Sequence, residues 1–284
     1  MRSLHIAFFG TPELVIPILD ELKNAGLIPK VIVTGKDEPQ GRKMLVVRPL
    51  PKIWAETRGI PVLQPEKINT GFLEDFKKYN IDLGVVVAYG KILPKTLLEL
   101  PRFGMINVHY SLLPKYRGAT PVESAILNGD DTTGVVIQKM AYELDAGDII
   151  EKEKVIIYPN ETAPSLRNRL NEIAKKLLVT TIQKIADGTA AYEKQDDTKA
   201  SHCKKIKKED GLIDLTDDPA KNLQKFRAYF GWPGTYFFIE RNSKKIRVII
   251  KDAMLKEGVF EITRVIPEGK KEMSYKDFLA GFQK

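Results

Sequence analysis

One cysteine and three histidines occur in 284 residues, and that scarcity removes whole classes of chemistry. The single Cys203 excludes an intrachain disulfide framework and a cysteine metal cluster, which fits a reducing compartment. His5, His109 and His202 are too few and too scattered to suggest a zinc site, so no metal is expected. Long apolar runs are missing as well. The longest, such as "LGVVVAY", fall far short of the roughly 20 residues a membrane helix needs, so no membrane partner is expected. The start "MRSLHIAFFG" has one basic residue and reaches Gly-Thr-Pro-Glu at once, which suits a buried first strand better than a secretion signal; a cytoplasmic location is the expectation. "GTPE" also lacks the Gly-x-Gly-x-x-Gly and Lys-Ser/Thr patterns of phosphate loops, so no dinucleotide is inferred.

What is present is a soluble composition, 43% hydrophobic and 29% charged, in a chain long enough for one large unit plus a smaller one. The formal charge of +8 is uneven: residues 201–284 hold 18 Lys+Arg against 12 Asp+Glu, while the first 200 residues hold 27 against 25. A basic appendage on a near-neutral body points to an anionic partner such as nucleic acid, with a merely solvated surface as the plain alternative.

Hydrophobic periodicity supplies the organisation. "LHIAFF", the turn "GTPE", an amphipathic stretch to Asn24 and "KVIVTG" make a strand, helix and strand. Helices near 50–58 and 70–79, strands at "IPVLQP", "DLGVVVAYG" and "GMINVHY", and a short helix after Pro94 continue the alternation. Strands buried on both faces with helices between them specify a mainly parallel α/β sheet, whose ligands sit beyond the carboxyl ends of its strands. A helix at "TPVESAILNGD", strands at "TGVVIQKM" and "GDIIEKEKVII", and a long helix at 162–187 follow. We place a catalytic domain at 1–188, a polar linker at 189–204 and a C-terminal domain at 205–284. The last reads as a helix at 218–229 and short antiparallel strands, a small basic β-barrel of the OB type.

In "INVHYSLLPKYRG", Asn107 and His109 lie two residues apart in a predicted strand, so their side chains share one face where the strand meets its loop. Asp145, in the Gly-flanked loop "ELDAGDI", could meet them across a cleft. An amide donor, an imidazole and a carboxylate suit attack of an amine on a carbonyl: one group stabilises the oxyanion, one moves a proton, and one orients the second.

The segments "FFGTPE", "VVVAYGKILP", "INVHYSLLPKYRGATP", "TGVVIQKM", "LDAGDI" and "GKKEMS" follow one another along nearly the whole chain, and together they resemble the folate-dependent formyltransferase superfamily. The Asn-x-His…Asp set with Ser-Leu-Leu-Pro is specific for that superfamily, while "YRGATP" and the basic C-terminal part favour its methionyl-tRNA branch. The resemblance implies a Rossmann-like N-terminal formyltransferase domain with a smaller OB-like domain, here visibly shortened. It implies transfer of the formyl group of 10-formyltetrahydrofolate to the amine of methionyl-initiator tRNA, with Asn107, His109 and Asp145 as catalytic residues. The folate would lie against Val87, Ala88, Tyr89, Gly90, Ile92, Ser111, Leu112, Leu113, Pro114 and Gly147. In the loop at 35–52, Arg42 and Lys43 match the residues that reach the acceptor end of the tRNA. Lys244 and Lys245, in the cluster "RNSKKIR", would hold its backbone, unless they only guard a solvated strand edge. A monomer is expected. Two departures stand out: Tyr110 is bulky where many members have a small residue, which predicts a changed wall of the donor pocket, and the short C-terminal domain bears on tRNA affinity more than on chemistry. A sugar-nucleotide amine formyltransferase would share every catalytic residue; a folate- or RNA-binding relative without turnover would not need the intact Asn-x-His…Asp set.

Overall fold

A computed structural model describes residues 4–281 apart from 41–43 and 242. Its central sheet has seven strands, in spatial order Ile149–Ile156, Thr132–Lys139, Met105–His109, Leu83–Val86, Ile6–Phe9, Val31–Val33 and Val62–Leu63. From Met105–His109 to Val62–Leu63 all neighbours are parallel, as the uninterrupted apolar runs require. Every residue of Ile6–Phe9, Val31–Val33 and Leu83–Val86 is buried, each Ile, Val or Phe side chain contributing about 1.5–3 kcal/mol. Thr132–Lys139 instead runs antiparallel to Met105–His109, with Asn107 opposite Gln138 and His109 opposite Val136.

Successive strands step outward from Ile6–Phe9 to one edge, and the chain then returns to add Leu83–Val86 and Met105–His109 on the other side. Strand order therefore reverses between Ile6–Phe9 and Leu83–Val86, the place where an open α/β sheet leaves a crevice at its carboxyl ends. Gly10 closes the first strand there. Its N–H donates to the Val33 carbonyl at 3.0 Å, and a Cβ on it would sit 2.9 Å from the Val87 carbonyl oxygen and 2.8 Å from the Phe8 ring. Only glycine lets the two crossover loops approach so closely.

Helices form where the periodicity places them: Ile16–Asn24, Leu50–Glu56, Thr70–Lys77, Lys95–Leu98, Pro121–Leu127, Ala163–Asp187 and Pro219–Ala228. Asn69 shows the local cause, its side chain accepting from the Phe72 N–H at 3.1 Å to cap Thr70–Lys77. The stretch expected as a loop at 35–52 differs. Glu38–Gln40 and Leu45–Val47 pair as an antiparallel ribbon, and the helix Leu50–Glu56 begins directly after Pro49. The ribbon's second strand, Leu45–Val47, is exposed although it is wholly apolar.

By packing, the chain divides into two compact units, and it passes between them more than once. The first holds residues through Ala119, Gly134–Lys154 and Asn168–His202; the second holds Thr120–Thr133, Val155–Arg167 and the chain from Cys203 onward. Within the second, Thr235–Arg241, Lys244–Lys256, Val259–Pro267 and Met273–Ser274 form a four-stranded antiparallel meander. Phe226 and Phe278 pack with Phe237, Val248, Ile250 and Val265 as its core. Among the described residues no ladder joins the first strand to the last, which is only two residues long, in keeping with the shortness read from the sequence. A final helix, Tyr275–Ala280, was not anticipated, although "SYKD" carries its start signal: Ser274 Oγ accepts from the Asp277 N–H at 3.1 Å and donates to the Asp277 carboxylate at 2.7 Å.

Candidate active site

His109 is the last residue of Met105–His109 and is 4% exposed. One ring nitrogen, Nε2, lies 3.0 Å from the Tyr116 carbonyl oxygen. A carbonyl only accepts, so Nε2 carries the proton and Nδ1 presents its lone pair. That lone pair faces the Asp145 carboxylate at 3.7 Å, close enough for attraction once the ring is protonated but too long for a hydrogen bond. Burial pushes the imidazole below its ordinary value, while the Asp145 charge and the Tyr116 carbonyl pull the other way. Desolvation wins, and the ring is neutral at neutral pH.

Asp145 is held as firmly as the ring. Its Oδ2 accepts from the Gly118 N–H at 2.8 Å and its Oδ1 from Gln138 Nε2 at 2.9 Å. The backbone at Asp145 is left-handed, φ 52°, and so is that at Tyr116, φ 61°. Both partners of the imidazole thus come from non-glycine residues in a sparsely populated region, which costs about 1–3 kcal/mol each and persists only where the surroundings over-determine it. Gly147 completes the loop: a Cβ there would collide with the Lys139 carbonyl oxygen, so no other residue lets the loop close on the end of Thr132–Lys139.

Asn107 shares the strand face of His109, its Cα about 7 Å away. It is half-buried, and among the described residues its amide makes no side-chain hydrogen bond. Beside a neutral imidazole, an amide free of side-chain hydrogen bonds can donate to a ligand oxygen.

The residues expected to touch a folate divide by exposure. Val87 to Ile92 leave the carboxyl end of Leu83–Val86, whose Val86 lies in register with Asn107. Val87 and Tyr89 are buried, while Ala88 and Gly90 are exposed with φ of 47° and 75°, and Ile92 is 90% exposed. The segment thus offers main chain and the Ile92 side chain outward. Tyr89 packs edge-on against Phe9 with centroids 5.5 Å apart, and burial raises its phenol to about 12. Ser111 is wholly buried and donates to the Lys115 carbonyl at 2.6 Å, and Leu113 packs on Val136 and Ile149. Leu112 and Pro114 remain half-buried. Tyr110 is directed away to the long helix, its hydroxyl donating to Asn171 Oδ1 at 2.7 Å, so it anchors the strand end to Ala163–Asp187.

The structure brings Asn107, His109, Asp145 and the 87–92 and 111–114 segments to one end of one sheet. Lys244 and Lys245 are exposed in the second unit, where Lys245 Nζ lies 4.4 Å from the centre of the Phe238 ring. Arg42 and Lys43 lie outside the described residues. Sequence reading missed Gln138, Arg117 and Gln195. Gln138, 1% exposed within an apolar strand, carried a usable signal, because a polar residue buried there needs a partner. Gln195, in a polar stretch, carried none. Among the described residues no cluster of His, Cys, Asp or Glu could hold a metal ion, and no helix is long and apolar enough to cross a membrane.

Comparison with known proteins gives the family. Residues 4–182 match the family described as formyl transferase, and residues 205–255 match the formyl transferase C-terminal domain. The chain is 38% identical over 300 residues to methionyl-tRNA formyltransferase of Geobacter metallireducens, covering 99% of this chain and 96% of that one. It is 37% identical to that of Bacillus licheniformis, covering 98% and 95%. Among solved structures, the N-formyltransferase from Helicobacter canadensis in complex with folinic acid and dTDP-3-aminofucose has the same fold, with TM-score 0.67, 19% identity and coverage of 95% and 98%.

Proposed function

Because the chain belongs to the formyl transferase family, we propose that it transfers the formyl group of 10-formyltetrahydrofolate to the free amine of methionyl-initiator tRNA, for translation initiation in the cytoplasm. The observation that carries this reading is the unpartnered Asn107 amide beside a buried, neutral His109 and a fixed Asp145 carboxylate, in a chain similar over its whole length to methionyl-tRNA formyltransferases.

The folate supplies the formyl carbon and the nitrogen that leaves. The chain's own groups do the rest. Asn107 donates to the formyl oxygen as negative charge builds on it, an interaction stronger in the transition state than before it. His109, neutral at rest, moves a proton through Nδ1 or, once protonated there, stabilises that same charge, with Asp145 favouring the protonated ring or aligning a water that takes the proton from the attacking amine. The outward main chain of residues 88–92 and the half-buried Leu112 and Pro114 fit the flat, polar-edged ring of the donor, with Val87, Tyr89, Ser111 and Leu113 buried within those segments and Gly147 letting the Asp145 loop close beside them. For the tRNA, Lys244 and Lys245 would contact phosphates in the second unit, and Arg42 and Lys43 the acceptor end.

The deciding experiment is a transfer assay with two acceptors, methionyl-tRNA and an amino-sugar nucleotide, across a salt series. Salt-sensitive transfer to methionyl-tRNA alone supports the reading, since phosphate contacts release counterions. Transfer to the sugar nucleotide alone would replace it. Asn107→Ala, His109→Ala and Asp145→Ala should each lose roughly a hundredfold or more of turnover while remaining folded. Near-normal turnover in any of them removes that residue from the scheme. Arg42→Ala should weaken use of the tRNA and leave folate binding intact.

A further inference from the structure

Residues 189–204 read as a linker by composition, yet several of them lie along the catalytic loop within the first unit. Glu193 and Ile149 exchange both main-chain hydrogen bonds at 2.8 Å, and Ser201 donates its N–H to the Pro114 carbonyl at 3.2 Å and accepts from the Tyr116 N–H through Oγ at 2.9 Å. Between these two attachments Gln195 turns inward from a mostly exposed run. Its Nε2 donates to the carbonyl oxygens of Asp145 at 2.8 Å and Gly147 at 2.7 Å. Its Oε1 accepts from Arg117 Nε at 3.1 Å and from a terminal guanidinium nitrogen at 2.8 Å. Arg117, 5% exposed, also donates to the Asp197 carboxylate at 2.6 Å. Guanidinium only donates and carbonyls only accept, so the amide has one orientation that satisfies both sides.

We infer that Gln195 is a positioning residue for formyl transfer, which holds the backbone of Asp145 and Gly147 so that the Asp145 carboxylate stays aimed at His109. The inference rests on the function proposed above. Gln138 and the Gly118 N–H fix the Asp145 carboxylate itself, but neither restrains the left-handed backbone that carries it. Gln195 does so through both carbonyls, with its own angle set by Arg117. Loss of that restraint leaves both carbonyls to water and lets the loop relax. A shift of about 1 Å at a reacting group is enough to cost on the order of a hundredfold in rate.

The test is steady-state transfer from 10-formyltetrahydrofolate to methionyl-tRNA, with folate binding and thermal unfolding measured in parallel, for the full chain and two variants. Gln195→Met keeps the volume and removes both hydrogen-bonding ends. It should lower kcat by about 10- to 100-fold while KM for the tRNA and the folate Kd stay within about threefold. Gln195→Glu keeps the acceptor for Arg117, so the segment stays anchored, but sets a carboxylate oxygen against the two carbonyls. It should lose kcat to a similar extent with an unchanged unfolding midpoint. A kcat within twofold of the parent in either folded variant overturns the inference. So does a parallel fall of kcat, folate affinity and unfolding midpoint in Gln195→Glu, which would make the residue merely structural. Absence of transfer by the unaltered chain would instead overturn the proposed function and this inference with it.

Discussion

The imidazole of His109 and the ammonium of Lys245 occupy opposite kinds of surroundings. His109 is buried, has its tautomer set by the Tyr116 carbonyl, and faces a carboxylate that is itself held by two donors. Lys245 stands in solvent on a sheet surface over the half-exposed Phe238 ring, and Arg247 lies 3.8 Å from the Tyr236 ring on the neighbouring positions. At low dielectric, where a charge interaction is strong, placement has to be right before the substrate arrives, and the fold meets that demand with strained backbone and an obligatory glycine. At the exposed face each interaction is weak and screened by salt, so number and sign of charges matter more than angle. The first arrangement suits chemistry, the second suits holding a long polyanion.

That contrast sets the scale of the effects of substitution. Gly147→Ala should be the most disruptive, because its Cβ would meet the Lys139 carbonyl oxygen and either the loop or the strand end must move. We expect a loss of about 3 kcal/mol or more, read by denaturant unfolding. A loss under about 1 kcal/mol would mean that the loop around Asp145 is far less constrained than its geometry indicates.

Tyr110→Phe should come next. It removes the hydroxyl that satisfies Asn171 Oδ1, a residue 5% exposed whose Nδ2 donates to the Leu14 carbonyl at 2.8 Å. Leaving a buried acceptor unpaired costs about 1–3 kcal/mol, and this should appear in unfolding with transfer kinetics nearly unchanged. A large change in folate KM would return Tyr110 to the wall of the donor pocket.

Acid sensitivity separates the two regions further. The folded His109 imidazole titrates below its ordinary value, so above about pH 6.5 it is neutral in both folded and unfolded chains. As pH falls below that value the unfolded chain takes up a proton that the folded one resists, and stability is lost until the folded ring also titrates. His109→Gln should flatten the fall of the unfolding midpoint between pH 7 and 5. An equally steep fall would place the sensitivity elsewhere.

The smallest effect belongs to the exposed face. Lys245→Ala should change stability by less than about 1 kcal/mol, the size of an exposed cation–π contact. Lys244→Glu with Lys245→Glu should reduce the salt slope of tRNA use by roughly 1 to 2. An unchanged slope would show that this face holds no phosphate.

Most of the architecture was legible because burial imposes a period. Strands such as Ile6–Phe9 and Leu83–Val86 are apolar at every position since both faces are covered, and helices such as Thr70–Lys77 announce themselves by their cap and spacing. Asn107 and His109 were paired by strand alternation alone, and the basic excess of the last 84 residues needs only counting. Local rules could not show that Glu38–Gln40 and Leu45–Val47 pair as a ribbon, because an exposed apolar strand contradicts the pattern that marks strands.

The site's second tier lay beyond sequence for a different reason. Gln195 meets Asp145 across 50 positions and Arg117 across 78, and hydrogen bonds between such distant residues leave no periodic trace in either stretch. The sequence by itself determined which strands are buried, that Asn107 and His109 share one strand face and where the charge accumulates, since each follows from neighbours along the chain. Tertiary structure alone decided that His109 titrates below its ordinary value, that Tyr110 points to a helix, and that a polar connecting segment braces the Asp145 loop, because desolvation and long-range hydrogen bonds exist only once the chain has closed on itself.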